Sequence, residues 1–182
     1  MKKVVLTFGL LAGIIITALV WITAALAERD AINFERLEIV GYASMLIALT
    51  TIFFGIKSYR DNVGTGMISF WKGVQVGVLI SLISGILYAV GAMSYGIVSP
   101  NFEAHFMTKF TELKVGKLTE QGASQDKIDE AKKEVEMMKT LFQNPVLFFL
   151  VCQMEILPVG FIVTLISAGL LRRRELLPAQ PA

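Results

Sequence analysis

The sequence predicts an all-α integral membrane protein, a bundle of four transmembrane helices with an amphipathic helical hairpin between spans three and four. Two observations favour this fold class. Of the 182 residues, 54% are hydrophobic and only 18% are charged, whereas about a quarter of the residues of soluble domains are charged. The apolar residues are also gathered into long segments, each able to cross a hydrocarbon core of about 30 Å. We therefore expect a single membrane domain over residues 1–182.

The first predicted span, Val4 to Ala27, carries no charged residue and follows Lys2 and Lys3. A secretory signal peptide is the alternative, since Ala25-Leu26-Ala27 resembles a small-residue cleavage site. Signal peptides have an apolar core of only about 7 to 15 residues, and this segment is longer, so we expect it to remain as a span. The other predicted spans are Leu37 to Ile56, Gly73 to Ile97 and Pro145 to Leu171.

The distribution of Lys and Arg predicts that both termini lie in the cytoplasm, because short loops rich in these residues resist translocation. One side receives Lys2, Lys3, Lys57, Arg60, Lys72 and the tail 172–182 with Arg172, Arg173 and Arg174. The other side receives the short segment 28–36, in which acidic residues offset Arg29 and Arg36, and the long segment 98–144. The long segment, whose charges are mixed in sign, says little about sidedness.

The segment 98–144 shows two amphipathic helical patterns, separated by Gly116 and Gly122. Apolar residues recur at helical spacing in each pattern, and Ser124 is a suitable N-cap for the second helix. The apolar stripes are Phe102, Phe106, Phe110 and Leu113 in the first pattern, and Ile128, Ala131, Val135, Met138 and Leu141 or Phe142 in the second. Neither helix is apolar enough to span, so we expect a hairpin folded over the extracytoplasmic end of the bundle.

Small residues in the third span predict how the helices pack. Gly73, Gly77, Ser81, Gly85 and Ala89 recur every four residues, and small residues allow the close backbone approach on which helix association in lipid depends. Shorter stripes of this kind occur in the other spans. We interpret the stripe as a packing seam within the chain; the alternatives are a pore lining and a homodimer interface.

Glu155 is the most informative residue, because an ionisable group within a span is costly and usually faces the protein interior. No Lys or Arg is available at its depth, which is shared approximately by five polar residues: Thr17, Tyr42, Ser44, Ser84 and Tyr88. Desolvation then favours the neutral acid. Pro158, three residues on, leaves the carbonyl of Met154 without its helical partner, so a kink is expected beside the carboxyl. Glu155 is interpreted as a hydrogen-bonding strut; the alternatives are a proton or cation site and a site open to the outer phase or a headgroup.

The predicted cytoplasmic loop after the second span mixes basic, aromatic and turn residues, including Lys57, Tyr59, Arg60, Asp61 and Trp71. Aromatic rings at headgroup level and cations beside lipid phosphates are typical of interfacial anchoring. A contact with a partner or a regulator is the alternative.

Several kinds of function are disfavoured. The formal net charge of +2, with the basic residues spread among loops, does not indicate a nucleic-acid partner. His105 is the only histidine, which excludes a triad of the usual kind, and we expect it to be an exposed surface residue. Cys152 is the only cysteine, so no intramolecular disulfide is possible, and we expect it to be lipid-facing or packed. We therefore expect no cofactor and no enzymatic activity.

Three stretches together resemble a bacterial membrane family called domain of unknown function 4199. They run from Gly41-Tyr42 through Phe53 to Asp61, from Ile68 to Gly77, and from Glu155 through Pro158 and Gly160 to Ser167-Ala168. The resemblance extends over nearly the whole chain. It implies a multi-pass protein of the bacterial cytoplasmic (inner) membrane and implies no particular activity or site residue.

The leading hypothesis is a non-enzymatic accessory or interaction protein in the lipid bilayer, whose hairpin or cytoplasmic loop contacts a membrane-protein partner, a second copy or lipid. A small oligomeric transporter or channel subunit that uses Glu155 is the alternative. Against it stand the absence of a second charge within the spans and of a clear internal repeat.

Overall fold

The structure, a computed structural model, describes residues 1–172; Arg173, Arg174 and the rest of the predicted tail lie outside the described residues. Within residues 1–172 the regular secondary structure is entirely helical, which confirms the predicted fold class. The α-helices are α1 (Lys2–Glu28), α2 (Leu37–Leu49), α3 (Thr51–Asn62), α4 (Phe70–Val98), α5 (Phe102–Thr111), α6 (Lys117–Glu120), α7 (Gln125–Gln143) and α8 (Pro145–Leu171).

Four helical segments of the described chain are long and apolar enough to cross a membrane: α1, the segment Phe34–Asn62, α4 and α8. The second of these is longer than predicted. Lys57, Tyr59, Arg60 and Asp61, which were assigned to a loop, lie in the last two turns of α3. The helix continues because Lys57 and Asp61, four residues apart, form an ion pair along its surface.

The second span is interrupted at Thr50, between α2 and α3. The Thr50 hydroxyl donates to the carbonyl of Ile47 at 2.6 Å, and the Thr51 hydroxyl donates to that of Ala48 at 2.7 Å. Hydroxyls that bond to carbonyls of the preceding turn compete with the helical ladder. The adjacent threonines therefore account for this irregularity, which the sequence analysis missed.

α4 packs mainly against α1 and α8, and its small residues face α8. A methyl group placed on Gly77 would lie 2.5 Å from the Thr164 side chain, and one on Gly73 would lie 2.9 Å from that of Ala168. Gly160 of α8 approaches Ser81 equally closely. All five residues of the predicted stripe are buried: Gly73, Gly77, Ser81, Gly85 and Ala89. The structure thus confirms a packing seam within the chain.

α1 and α4 run parallel and are joined by side-chain hydrogen bonds. The Thr17 hydroxyl donates to the carbonyl of Leu87 at 3.2 Å, and the Trp21 indole N–H donates to that of Gly91 at 2.8 Å. Both bonds link residues 70 positions apart. The constant offset shows that the two helices keep one register over this stretch.

The bundle is packed more tightly at one end than at the other. We call the end that contains Lys2, the turn 63–69 and Leu171 the turn end, and the end that contains Glu28, Leu37, Val98 and Pro145 the hairpin end. Ile52, Ile56 and Ile80, toward the turn end, are fully buried. At the hairpin end, residues 37–43 of α2 and 145–151 of α8 include no buried residue. The parts of α2 and α8 nearest the hairpin end are therefore not covered by the other helices of the bundle.

The segment 98–144 forms the predicted helical hairpin, with one correction to its boundaries. The chain remains helical through Gly116, in a π-helical stretch at Glu112–Gly116, and turns only after α6, where Gly122 has a φ of 66°. Ser124 is the N-cap of α7, as predicted, but its side chain makes no capping bond. The predicted break at Gly116 is wrong. Nothing in the surroundings of Gly116 requires a turn, so the chain continues there as a helix.

The apolar stripes of the hairpin pack on each other and on the α1–α2 connection. The Phe106 ring lies 5.0 Å from Phe34 and 5.5 Å from Phe142, measured between ring centroids. Lys117 forms an ion pair with Glu35. The hairpin is therefore folded over the end of the bundle, as expected.

Candidate functional site

Glu155 lies on the outer surface of the bundle, which corrects the expectation that it faces the interior. The buried stripe of α8 consists of Cys152, Ile156, Gly160, Thr164 and Ala168. Glu155 precedes Ile156 by one residue and is therefore rotated about 100° from that stripe. Its side chain is exposed, beside Met154, which is 75% exposed.

Tyr88 of α4 reaches Glu155 at the edge of the α4–α8 seam. Its hydroxyl donates to Oε2 of Glu155 at 3.0 Å. Tyr42, 49% exposed on α2, makes no hydrogen bond to either residue. Cys152 is buried, one of the two placements expected for it. The structure thus brings together two predicted residues, Glu155 and Tyr88.

Other polar residues predicted at this depth do not join the group. The Ser84 hydroxyl donates to the carbonyl of Ser81 in its own helix, and the Thr17 hydroxyl donates to α4 on another side of that helix. Within residues 1–172, Tyr88 is the only side chain that hydrogen-bonds to Glu155. Among these residues, none donates a hydrogen bond to Oε1 of Glu155.

The position of Glu155 along its span follows from helix geometry. Glu155 follows the first residue of α8 by ten positions, or about 15 Å of helix, and the hydrocarbon core is about 30 Å thick. α8 is continuous through Pro158, so the predicted kink involves no break in the helix. Pro158 is exposed on the same face as Glu155. Because proline lacks an amide hydrogen, the Met154 carbonyl is a second acceptor at this surface.

A second polar cluster lies at the end of α3. Asp61 accepts a hydrogen bond from Nε of Arg60 at 2.7 Å and one from Nζ of Lys57 at 2.9 Å. Arg60 is 1% exposed, so its side chain is directed into the bundle, and a contact of this cation with lipid phosphates stays a prediction. Arg60 follows Ile52 and Ile56 at four-residue spacing and shares their buried face.

The aromatic residues of this region separate into two environments. Tyr59 is partly buried and packs against the core. Trp71, in the first turn of α4, is 76% exposed, a position from which the ring can reach the headgroup region. Interfacial anchoring remains a prediction for Trp71 and does not describe Tyr59.

The hairpin end carries a polar cluster that the sequence analysis missed. Glu28 accepts hydrogen bonds from the hydroxyls of Tyr95, at 2.9 Å, and Ser99. The partners are 67 and 71 positions from Glu28, close to the offset of 70 found deeper between α1 and α4. One known contact between these parallel helices would have been enough to predict this cluster.

His105 is half-buried in the hairpin, which corrects the expectation of an exposed residue. Its Nε2 lies 3.5 Å from Oδ1 of Asp30 without forming a hydrogen bond, and Nζ of Lys109 forms an ion pair with the same oxygen at 3.2 Å. The Lys109 pair links α5 to the segment that follows α1. Among residues 1–172, no three His, Cys, Asp or Glu side chains are grouped as a metal site requires.

A family model described as "Protein of unknown function (DUF4199)" matches residues 7–173. The chain belongs to this family. The match confirms the resemblance found in the sequence and includes all residues of the Glu155 and Arg60 clusters in this DUF4199 protein. No curated protein and no solved structure matches the chain.

Proposed function

We propose that this DUF4199 protein is a non-enzymatic interaction protein of the bacterial cytoplasmic membrane, with both termini in the cytoplasm. Its Glu155 site binds a transmembrane segment of another membrane protein. The observation that carries the proposal is the position of Glu155: a carboxyl deep within a span, exposed on the outside of the bundle, with one hydrogen bond from Tyr88.

The energetics of polar groups in lipid support a protein partner. Hydrocarbon offers no hydrogen-bonding group, and each unsatisfied polar group in it costs several kcal/mol by the estimates for transfer to apolar media. A neutral Glu155 offers one donor and remaining acceptor capacity, and the Met154 carbonyl adds an acceptor beside it. A helix with Ser, Thr, Asn or Gln at this depth can satisfy these groups.

The shape of the bundle agrees with an occupant of helical size. The turns of α2 and α8 nearest the hairpin end, residues 37–43 and 145–151, have no buried residues. Tyr42 and Glu155 are exposed on these two helices. A docked helix would bury both side chains and leave the α4–α8 seam unchanged. The hairpin, which is fixed to the α1–α2 connection through Phe34 and Phe106, limits access from the hairpin end.

Photo-crosslinking in living bacteria tests the proposal. Benzoylphenylalanine replaces Met154, which is exposed beside Glu155, or Ile14, which is 63% exposed on α1 and serves as the matched lipid-facing control. We expect a discrete adduct with a second protein from position 154 and none from position 14. The adduct should persist with Glu155→Gln, which keeps hydrogen bonding, and disappear with Glu155→Leu.

Three outcomes would contradict this proposal. They are adducts with lipid alone, an equal adduct yield in Glu155→Leu, and an adduct of twice the chain mass, which would identify a second copy as the occupant. Equal membrane levels of the variants, measured by immunoblot, exclude loss of folding as the cause of a lost adduct.

The exposed position of Glu155 also favours a second candidate, an oligomeric transporter or channel subunit. A closed ring of subunits with this face inward would gather one carboxyl from each copy around a central axis. Purified protein in liposomes should then conduct protons or cations, and Glu155→Gln, which cannot titrate, should abolish the flux. Absence of flux in the wild type would exclude this candidate under the tested conditions.

A further inference from the structure

The guanidinium of Arg60 is placed at the turn end of the bundle. Ile56, one turn earlier on the same buried face, lies 3.5 Å from the position of a methyl group on Gly73 in α4. Arg60 is one turn, about 6 Å, closer to the turn end, and α4 begins three residues before Gly73, at Phe70. Arg60 is therefore level with the N-terminal turn of α4.

The donors of Arg60 are mostly unused. Its Nε donates to Asp61, but Nη1 and Nη2 are buried without a hydrogen-bond partner among the described residues. A buried charged donor without a partner is costly. The Arg60 side chain is only 1% exposed, so bulk water does not accept hydrogen bonds from these two nitrogens.

We propose that Arg60 binds an oxyanion of the phosphate class, supplied by a phospholipid headgroup or by a soluble phosphate ester. The guanidinium presents paired N–H donors that match two phosphate oxygens. The N-terminus of α4, at the same level, favours negative charge through its free amides. Its cap, Ser69, bonds to the Lys72 amide, which leaves the first amides of the helix available.

The charges around Arg60 agree with an anionic ligand. Lys57, Arg60 and Asp61 carry two positive charges and one negative charge, so an anion of charge −1 balances the cluster. Asp61 repels an anion, but it holds Nε and so leaves the opposite edge of the guanidinium for the ligand. Lys57, 24% exposed, and Asp61, 11% exposed, mark the side from which a ligand enters.

The test uses the purified, delipidated full-length chain in dodecyl maltoside, a detergent without phosphate or charge. The midpoint of thermal unfolding is measured against inorganic phosphate at constant ionic strength, and separately against phosphatidylglycerol in mixed micelles. We expect a rise of about 5 °C or more at saturation with at least one of them. A response to phosphatidylglycerol alone identifies the lipid source, and a response to inorganic phosphate identifies a soluble one.

Variants link the response to Arg60. Arg60→Met should abolish the rise in the unfolding midpoint. Arg60→Lys, which keeps the charge but lacks the paired N–H donors of the guanidinium, should weaken the apparent affinity about tenfold or more. Lys3→Gln, a change at an exposed cation of α1, should respond as the wild type does. The proposal is overturned if the wild type responds to neither probe, or if Arg60→Lys binds as tightly as the wild type. Both of these measurements, on the wild type and on Arg60→Lys, can be made even if Arg60→Met does not fold.

Discussion

Several hydroxyl groups in the spans donate within their own helix, as Thr23, Thr51 and Ser81 do to carbonyls three or four residues earlier. Such bonds say little about tertiary structure. Only hydroxyls or N–H groups that cross between helices specify a register, and the Tyr88 bond to Glu155 is one of them. Its energetic coupling is therefore measurable with single-residue changes.

A double-mutant cycle of Tyr88→Phe and Glu155→Leu should give a coupling energy of about 0.6 kcal/mol, a typical value for hydrogen bonds between membrane helices. The phenylalanine variant removes only the donor and keeps the ring in place. Unfolding in mixed detergent micelles, followed by circular dichroism, provides the free energies.

Tyr42→Phe is the matched control, because Tyr42 makes no hydrogen bond among the described residues. Its cycle with Glu155→Leu should give no coupling. Equal coupling in the two cycles would show that Tyr88 has no special relation to the carboxyl.

At the scale of helices, the α4–α8 seam depends on positions where a single methyl group does not fit. Gly77→Ala should lower the free energy of unfolding by about 1–3 kcal/mol, because the new methyl group meets the branched side chain of Thr164 at 2.5 Å. Gly96→Ala, in the same helix, has no atom within 4 Å of the new methyl and should be neutral or slightly stabilising. Thermal unfolding in detergent compares the two, and equal values would refute the seam.

The hairpin is held by an aromatic cluster around Phe106, whose ring contacts Phe102 and Phe110 of its own helix, Phe142 of α7, and Phe34 in the α1–α2 connection. Phe106→Ala should destabilise the hairpin by about 1–3 kcal/mol, below the value for a fully buried ring because Phe106 is only half-buried.

Limited proteolysis measures this effect, since a loosened hairpin should be cut faster within 98–144 while the spans remain intact. Met137→Ala, at a position 63% exposed on α7, is the control and should leave the cleavage rate unchanged. A cleavage rate for Phe106→Ala equal to that of the control would mean that the ring cluster does not hold the hairpin.

At the scale of the whole molecule, the predicted sidedness can be measured with two cysteine variants. Ser124→Cys, in the hairpin, should react with a membrane-impermeant maleimide in spheroplasts, and Thr65→Cys, in the turn at the other end, should react only after lysis. The native Cys152 is buried and should contribute little background. The opposite labelling pattern would reverse the topology.

The sequence by itself determined the all-helical class, the four spans, the hairpin and the small-residue seam, because each depends on local composition or on a repeat along one helix. Span lengths follow from hydrocarbon thickness, and apolar stripes follow from the helical period. Tyr88 was also among the residues predicted at the depth of Glu155, because depth follows from position along each span; only the structure shows that these two are hydrogen-bonded.

The tertiary structure decided which way individual side chains face. Glu155 is outside, opposite to the expectation from the cost of a carboxyl in lipid, and Arg60, expected in a cytoplasmic loop, is buried in the last turn of α3. The orientation of a side chain around a helix depends on which neighbours α8 and α3 meet, and a rotation of about 100° separates adjacent residues. Hydrophobicity sets the depth of each residue in the membrane, whereas packing between helices sets its direction, and only the latter requires the whole fold.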